Sequence, residues 1–562
     1  MRKFRHQKIQ AATTGGGGTS SPYLPVLVLC ICFGAYSLNG APLPSNDQMA
    51  NMLLSVNLLK RQSFAISLWQ TPKVFKWVVE RSPGKAVKTQ VYDWNDEATE
   101  LYRKGQLKPT GMPYFLTPTV HAEQYANTFG IGAALTILPV YAVLNLFTDL
   151  ASNHAVWWHG AKVTASLLTA GAALFIFLTM RRFVPPLPAV LGALAFGLGT
   201  CAWTLSSQAL WQQTPYLFFL SLGAWWLGGV EAQPHRALYC GAAFGMATLC
   251  RPTGIIPVVL VGLYLLWLDP PRIIRSARDR VIENALDLGI TSPRFLRVLG
   301  AAPDGGGSRE EDKPNPPSET PRLSRYMLGG LPFAVILGTY NTYYFGGPFV
   351  FPQEIVADAY ATSKGATGVW GTPIAEGLAG LLVSPSRGLM VYSPIMVFGF
   401  VGAVLTWHTP RKFAMLIPLQ IAVLAQIVMA ATWYDWWGGW AYGPRPLVDA
   451  GVFLTLLMIP VMVRVMHVRW MRGVFVALLL YSVGVQVIGA WTCNLEQWNY
   501  KNKMSIDKPE YHSRLWSIRD SQIIHHVTNF QAVRQAKRRK VARYLNATWP
   551  MVTFREPGQP YP

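Results

Sequence analysis

One carboxylate and three arginines are the residues best placed to do chemistry, because each lies where an apolar run meets a polar loop. Asp47 follows the first apolar run in PSNDQMANMLL, and Arg251 begins RPTG directly after another run. Arg387 lies in SPSRGLMVYSP and Arg445 in GGWAYGPRP, where glycine and proline favour irregular backbone. A carboxylate can take a proton from a hydroxyl group, and a guanidinium group can make forked contacts to a phosphate. These residue types predict a general base and an anion-binding set.

Each of these residues also has a plainer interpretation, which the sequence leaves open. An Asp that precedes a helix commonly caps its free N–H groups, and Asp47 comes just before the helical periodicity of MANMLLSVNLL. An arginine at the end of an apolar segment can snorkel to lipid headgroups, which applies to Arg251 and to the arginine of SPSRG. Asp435 and Asp449 are candidate structural partners for Arg445. We favour anion binding for Arg445 and keep both interpretations for the other two arginines.

Aromatic residues are dense in the loop WYDWWGGWAYGPRP, which spans residues 433–446. A belt of Trp and Tyr at the headgroup level is one explanation. The other is a pocket, because aromatic faces also stack on sugar rings. WQQTPY and NTYYFGGPF repeat the signal more weakly. The predicted pocket residues are Trp211, Gln213, Tyr340, Trp436, Trp437, Trp440 and Tyr442.

A divalent metal is a second prediction for the polar segments. His121 and Glu123, two residues apart in a loop, could be ligands, although solvated loop residues explain them more simply. Asp93, Asp96 and a pair of nearby glutamates form an acidic cluster that is typical of a solvated face. The sequence therefore predicts no firm metal site and no certain cofactor.

Composition places the chain in a bilayer. The 562 residues are 51% hydrophobic and only 14% charged, whereas soluble domains carry about a quarter charged residues. The net charge of +21 comes from basic residues that flank apolar runs, which is typical of cytoplasmic loops and of anionic headgroup binding rather than of nucleic-acid binding. The six cysteines show no zinc or disulfide spacing and are interpreted as small core residues.

The fold class predicted is an all-α polytopic membrane protein with about 10 to 12 crossings, because open sheet edges are not viable in lipid. We expect a large first outer loop carrying interfacial helices. The apolar runs fall near 23–40, 128–149, 156–180, 187–203, 214–230, 237–250, 253–268, 327–345, 389–407, 413–432, 446–463 and 474–492. Strict alternation across these runs fails once, so we expect that one run in the first half, among 128–180, does not cross fully or is divided at the wrong place.

The chain divides into seven segments on this interpretation. Residues 1–22 form a cytoplasmic basic and Gly-rich start and 23–40 the first span. Residues 41–127 form the outer loop with the candidate base, and 128–268 form further spans. A charged cytoplasmic linker, 269–326, precedes the spans and the aromatic and arginine-bearing loops of 327–493. The polar tail, 494–562, is expected outside.

Several of these stretches together resemble the GT-C superfamily of integral-membrane glycosyltransferases. The superfamily includes the protein O-mannosyltransferases and the enzyme that adds aminoarabinose to lipid A, and this chain is most similar to its uncharacterised bacterial members. The resemblance rests on the order and placement of several stretches rather than on one diagnostic motif. These are ND at 46–47, NTFGIGAALTILPVY, ALWQQTPYLFF, GMATLCRPTG, SPSRGLMVYSP and WWGGWAYGPRPLVD.

The resemblance implies transfer of a sugar from a polyprenyl-phosphate carrier to an acceptor hydroxyl of a lipid, glycan or protein. The active site would face the outside of a bacterial inner membrane, with Asp47 as base and Arg251, Arg387 and Arg445 as carrier-phosphate ligands. One base implies a single inverting displacement. The chain departs from the family pattern where relatives carry Lys-Pro-Pro, and Gln213 stands where many have His, which puts metal dependence in doubt.

Other function classes fit the sequence less well. A transporter or flippase is expected to show internal repeats and charges within spans, but here the charges lie at span ends. A polysaccharide polymerase or ligase would place its large outer loop late in the chain. A structural membrane subunit would not need arginines set among glycine and proline.

Overall fold

The computed structural model is mostly helical. It describes residues 22–68, 71–80, 82, 84–91, 94–111, 113–150, 153–270, 321–363, 368–410 and 412–545. The basic start up to residue 21, most of the 269–326 linker, Asp93 and residues 546–562 lie outside the described residues.

The helices of the first half are bounded as follows. They are α1 (Leu24–Ser37), α2 (Asn46–Arg61), α3 (Asp96–Arg103), α4 (Gly132–Leu144), α5 (His154–Met180), α6 (Pro186–Gly199), α7 (Gln213–Leu227), α8 (Arg236–Cys250) and α9 (Ile255–Leu268).

The helices of the second half include two short ones and one of 16 residues in the polar tail. They are α10 (Arg322–Phe345), α11 (Pro352–Ser363), α12 (Ile374–Val383), α13 (Leu389–Tyr392), α14 (Val397–His408), α15 (Leu416–Thr432), α16 (Ala450–Leu456), α17 (Ile459–His467), α18 (Arg469–Thr492), α19 (Ser513–Trp516), α20 (Gln522–Thr528) and α21 (Phe530–Leu545).

Two of the described helices, α5 and α18, are long and apolar enough to cross a membrane by length and composition. The bent pair α16 and α17, which turns by 51°, would make a third. The predicted 10 to 12 crossings therefore stay a prediction. Helix α4 has 13 residues, which corresponds to about 20 Å and is short of a hydrocarbon core. This helix lies in the region where one run was expected not to cross fully.

Residues 41–127 contain β-structure, so the prediction of an all-α fold was wrong in this region. Strands β1 (Ile66–Ser67), β5 (Leu116–Pro118) and β6 (Gln124–Asn127) form one antiparallel sheet in the order β1-β6-β5. A second sheet, in the order β3-β2-β4, and a small hairpin in the tail complete the strands. Their bounds are β2 (Lys76–Glu80), β3 (Ala86–Thr89), β4 (Leu107–Gly111), β7 (Tyr500–Lys501) and β8 (Met504–Ser505). The argument against strands concerns open sheet edges in lipid, so it does not exclude strands whose edges water solvates.

Small residues let the apolar helices approach closely. A Cβ added to Gly241 of α8 would lie 1.9 Å from the carbonyl oxygen of Tyr326, and one added to Gly329 of α10 would lie 1.9 Å from that of Leu238. Close backbone contact through small residues is how helices associate in lipid. The cysteines are free and five of the six are buried, as expected for core residues.

Apolar side chains are also exposed in rows along the helices. Val259, Leu263 and Trp267 of α9 are 50%, 56% and 59% exposed, and Leu331 and Val335 of α10 are each 56% exposed. Spacings of four residues place these side chains on one face of each helix. A contiguous exposed apolar face is costly in water and marks a surface that contacts another apolar phase.

The polar tail folds back onto the ends of α18 and α5. Lys537 donates to the carbonyl oxygen of Ala490 (2.6 Å), and Lys540 pairs with Glu496 (2.7 Å). The ring of Tyr544 packs at 5.1 Å from that of Trp158, and its hydroxyl lies 3.5 Å from the Asn46 side chain. The tail therefore lies on the side of the bundle where Asp47 lies.

Candidate functional site

Ser45, not Asp47, caps helix α2. The Ser45 hydroxyl accepts from the Asp47 backbone N–H (3.3 Å) and also from the indole N–H of Trp211 (2.8 Å). The capping role that the sequence left open for Asp47 is thus filled by its neighbour. Asp47 lies in the first turn of the helix, where the helix dipole favours a negative charge, and its carboxylate is left for side-chain partners.

Asp47 forms an ion pair with Arg445 and accepts a hydrogen bond from the Tyr114 hydroxyl. One carboxylate oxygen faces Nη2 of Arg445 and the other faces the phenol. The Asp47 side chain is 12% exposed and that of Arg445 is 18% exposed, so the pair is reachable but shielded. Burial and the adjacent carboxylate raise the pKa of Tyr114 well above its ordinary value, which keeps the phenol protonated as a donor.

The ring of Trp211 packs against the guanidinium group of Arg445. The Arg445 Cζ atom lies 4.1 Å from the centre of the Trp211 ring, which is a cation–π contact. The Trp211 indole also donates to Ser45, the N-cap residue of α2. One side chain therefore contacts both the N-terminus of the helix that carries Asp47 and the guanidinium group of Arg445. The sequence predicted Trp211, Arg445 and Asp47 separately, and the structure brings all three together.

Polar side chains of α2 fix its position against the loop before α7. Gln48 accepts from the Leu210 N–H (3.0 Å) and donates to the Leu43 carbonyl (2.7 Å). Asn51 donates to the Leu210 carbonyl (2.9 Å) and accepts from Asn127 (2.8 Å). Both residues are fully buried, so their hydrogen bonds hold Asp47 and Trp211 in a fixed relation.

Three glycines shape the loop that presents Arg445. Gly438, Gly439 and Gly443 adopt φ angles of +75°, +63° and +75°, a region that side chains with a Cβ disfavour. The Gly443 N–H donates to the Gln522 side chain of the tail (3.1 Å), and a 3₁₀ turn begins at Arg445. The glycines therefore permit the turns that direct Arg445 toward Asp47.

Arg251 pairs with Asp449, four residues after Arg445. Its Nη1 atom faces one oxygen of the buried Asp449 carboxylate, and the Arg251 side chain is 20% exposed. The arginine stands in extended backbone between α8 and α9. The sequence named Asp449 as a partner for Arg445, but its hydrogen-bonded partner is Arg251. A second arginine thus lies close to the Asp47–Arg445 pair.

Arg387 is not free to bind a ligand in this structure, because its five N–H groups are all engaged. It donates to the carbonyl oxygens of Trp437, Ser386 and Gly439 and to the side chains of Asn499 and Gln522. It is 0% exposed. Its contacts join the aromatic loop to the tail. Arg387 therefore has no N–H group left for a carrier phosphate in this structure.

The aromatic residues predicted to line a pocket are divided among three places. Only Trp211 contacts the Asp47 cluster, whereas four others pack around Arg387 and the tail. Rings pair as Trp436 with Trp516 (5.9 Å), Trp437 with His512 (4.3 Å), Trp440 with Tyr500 (5.5 Å) and Tyr442 with His526 (5.3 Å). Tyr340 packs against Phe64 (5.8 Å) in a separate apolar cluster.

The residues predicted as weak metal ligands have other partners. The His121 ring packs 4.7 Å from that of Tyr343, and Glu123 accepts from the Tyr102 hydroxyl (3.0 Å). Across the described ranges, no group of three or more His, Cys, Asp or Glu could hold a metal ion.

Sequence reasoning missed Tyr114 and the tail residues Asn499 and Gln522. Tyr114 lies 67 positions after Asp47 in the chain, and no short-range sequence pattern marks it. Gln213, which was predicted, is buried at the start of α7 with its side-chain oxygen unpaired.

No protein-family model matches the chain, and no curated protein matches it. Among solved structures, ArnT from Cupriavidus metallidurans bound to undecaprenyl phosphate is 13% identical with a TM-score of 0.40, covering 94% of this chain and 74% of that one. The archaeal oligosaccharyltransferase AglB from Archaeoglobus fulgidus, in complex with an inhibitory peptide and a dolichol-phosphate, is 11% identical with a TM-score of 0.41, covering 88% and 60%. The chain thus spans about 60% of the archaeal enzyme's length.

Proposed function

We propose that this chain is a membrane glycosyltransferase that moves a sugar from a polyprenyl-phosphate carrier to an acceptor hydroxyl on the outer face of a bacterial inner membrane. The observation that carries the proposal is the Asp47–Arg445 pair on its Trp211 platform. A candidate base and a candidate phosphate ligand meet there although the chain separates them widely. The acceptor would be a lipid, a glycan or a protein.

The exposed apolar faces of α9 and α10 support the membrane location. Lipid would cover Val259, Leu263, Leu331 and Val335, which water solvates poorly. The candidate site lies where α2 and the loop before α7 meet the aromatic loop, outside the long helices. A carrier whose isoprenoid tail lies in the bilayer could therefore bring its phosphate to this level.

The chemistry would be one displacement at the anomeric carbon. Asp47 takes the proton of the acceptor hydroxyl as that oxygen bonds to the sugar carbon. The bond between the sugar carbon and the phosphate oxygen breaks, and its electron pair stays on the carrier phosphate. A phosphate is a good leaving group, so the main task is to stabilise its developing charge, which prearranged arginines do well in a shielded site. The configuration at the sugar carbon would invert.

Arg445 and Arg251 are the arginines suited to that task. Each has one carboxylate partner in the free protein, Asp47 and Asp449 respectively, and each is partly exposed. When a phosphate binds, Arg445 would exchange part of its contact with Asp47 for the phosphate, which frees the carboxylate to act as a base. Before the donor binds, the ion pair therefore gives each of the two charged groups a partner.

The test is carrier binding. We would purify the protein in nanodiscs and identify co-purified lipids by mass spectrometry, comparing wild type with Arg445→Ala and with the matched control Arg538→Ala, a change on the exposed face of the tail helix. The expected result is a polyprenyl phosphate retained by wild type and the control and lost from Arg445→Ala. Bulk phospholipid alone in all three samples would contradict the proposal and favour a transporter or structural role.

A further inference from the structure

Three buried oxygen atoms near the Asp47–Arg445 pair have no hydrogen-bond partner. They are Oε1 of Gln213, Oε1 of Gln426 and Oδ1 of Asp449. These residues are only 3%, 4% and 4% exposed. Buried polar atoms are nearly always paired, because an unpaired one has lost its hydrogen bonds to water without replacement. Three such atoms in one region indicate a site that a polar group fills.

The three residues are drawn together by named contacts. Gln426 of α15 donates to the Tyr216 hydroxyl of α7 (3.3 Å), and α16, which begins directly after Asp449, packs against both α15 and α7. Gln213 lies one helical turn before Tyr216 on α7, so the two share a face. Asp449 has its other oxygen on Arg251. The unpaired atoms thus come from α7, from α15 and from the start of α16.

The region is continuous with the candidate catalytic pair. Asp449 follows Arg445 by four residues, and Trp211, the platform of Arg445, precedes Gln213 by two. A ligand whose phosphate is bound between Arg445 and Arg251 would have its adjoining group next to these oxygens.

All three unpaired atoms are acceptors, and this decides the chemistry of the ligand. An amide oxygen or a carboxylate oxygen requires a donor. The isoprenoid chain of the carrier has no donor, and an ionised phosphate has only acceptors and would be repelled by Asp449. The sugar is the part of the donor substrate that carries several O–H groups. Building on the function proposed above, we propose that Gln213, Gln426 and Asp449 form a subsite for the hydroxyl groups of the donor sugar.

The experiment measures two carriers on the same protein. Binding to nanodisc-embedded wild type and Gln426→Leu would be compared for undecaprenyl phosphate and for the tightest member of a panel of undecaprenyl phosphates bearing glucose, mannose or a pentose. We expect wild type to bind the sugar-bearing carrier more tightly than the bare one. Gln426→Leu should lose about tenfold for the sugar-bearing carrier and nothing for the bare one, since one hydrogen bond to the sugar is removed.

Two further variants sharpen the test. Gln420→Leu is the matched control on the same helix and should bind both carriers as wild type does. Gln213→Leu repeats the test from α7 and takes its place if Gln426→Leu does not fold. Equal binding of both carriers by wild type, or equal losses for both carriers in the variants, would overturn the subsite. Failure of wild type to bind either carrier would instead overturn the proposed function.

Discussion

Asp47 and Arg445, 398 positions apart in the sequence, form a shielded ion pair. Asp47 lies in the first turn of α2, and Arg445 follows a glycine-shaped loop. Trp211 and Tyr114 add a platform under the arginine and a donor to the carboxylate. The pair therefore combines one group able to accept a proton with one able to hold a phosphate.

Asp47→Asn should reduce sugar transfer by about 10²- to 10⁴-fold, the usual contribution of a positioned general base. Carrier binding should persist, because the amide oxygen still accepts from Arg445 while the amide NH2 group can donate to the Tyr114 hydroxyl oxygen. The measurement is transfer rate alongside carrier affinity. Asp96→Asn, which changes a carboxylate in the first turn of α3, is the control and should keep wild-type rate. Full activity of Asp47→Asn would contradict the mechanism.

Trp211→Leu should weaken carrier binding by roughly 2- to 30-fold, because the cation–π contact that orients Arg445 contributes about 0.5–2 kcal/mol. Titration of nanodisc-embedded protein with undecaprenyl phosphate measures the effect. Trp370→Leu, at a tryptophan that is 54% exposed, serves as the control. Equal losses in both variants would show that the platform has no specific role.

Arg387→Ala should destabilise the protein without a specific effect on the carrier. Five buried or partly buried acceptors lose a charged donor at once, so the free energy of unfolding should fall by at least about 3 kcal/mol. Thermal unfolding in detergent checks this. Carrier affinity of the folded fraction should match wild type. A loss of affinity with unchanged stability would restore the phosphate-binding prediction for Arg387.

Docking of the tail helix should strengthen as the pH rises from about 8 to about 10.5. Burial lowers the pKa of Lys537 to about 8, against an ordinary value of 10.5. Between these values the unfolded chain binds more protons than the folded one, so stability rises with pH in this window and is constant below it. Hydrogen exchange of residues 530–545 measures the effect, and Lys537→Met should abolish the pH dependence.

The sequence predicted the residues of the site better than their pairing. Asp47, Arg445, Trp211 and Arg251 each carried a local signal, since polar residues at the ends of apolar runs are conspicuous. No local signal connects Asp47 with Arg445, or Arg387 with Gln522, because these contacts join distant parts of the chain.

The packing of the aromatic loop also could not be predicted from its sequence. Its tryptophans were interpreted as a belt or a pocket, and most of them instead pack against a tail whose own sequence is polar. The sheets between residues 66 and 127 were not predicted, because their strands are short. Alternation in KWVVE and AVKT is short, and such runs do not distinguish strand from loop.

The wide separation of Asp47 and Arg445 has a consequence for biosynthesis. Asp47 leaves the ribosome long before Arg445, and Tyr544, which reaches Asn46, follows later still. A nascent chain therefore carries the acid without its partner through most of translation, and a product that stops before residue 445 has no complete site. Sugar transfer would therefore require a chain that extends beyond Arg445.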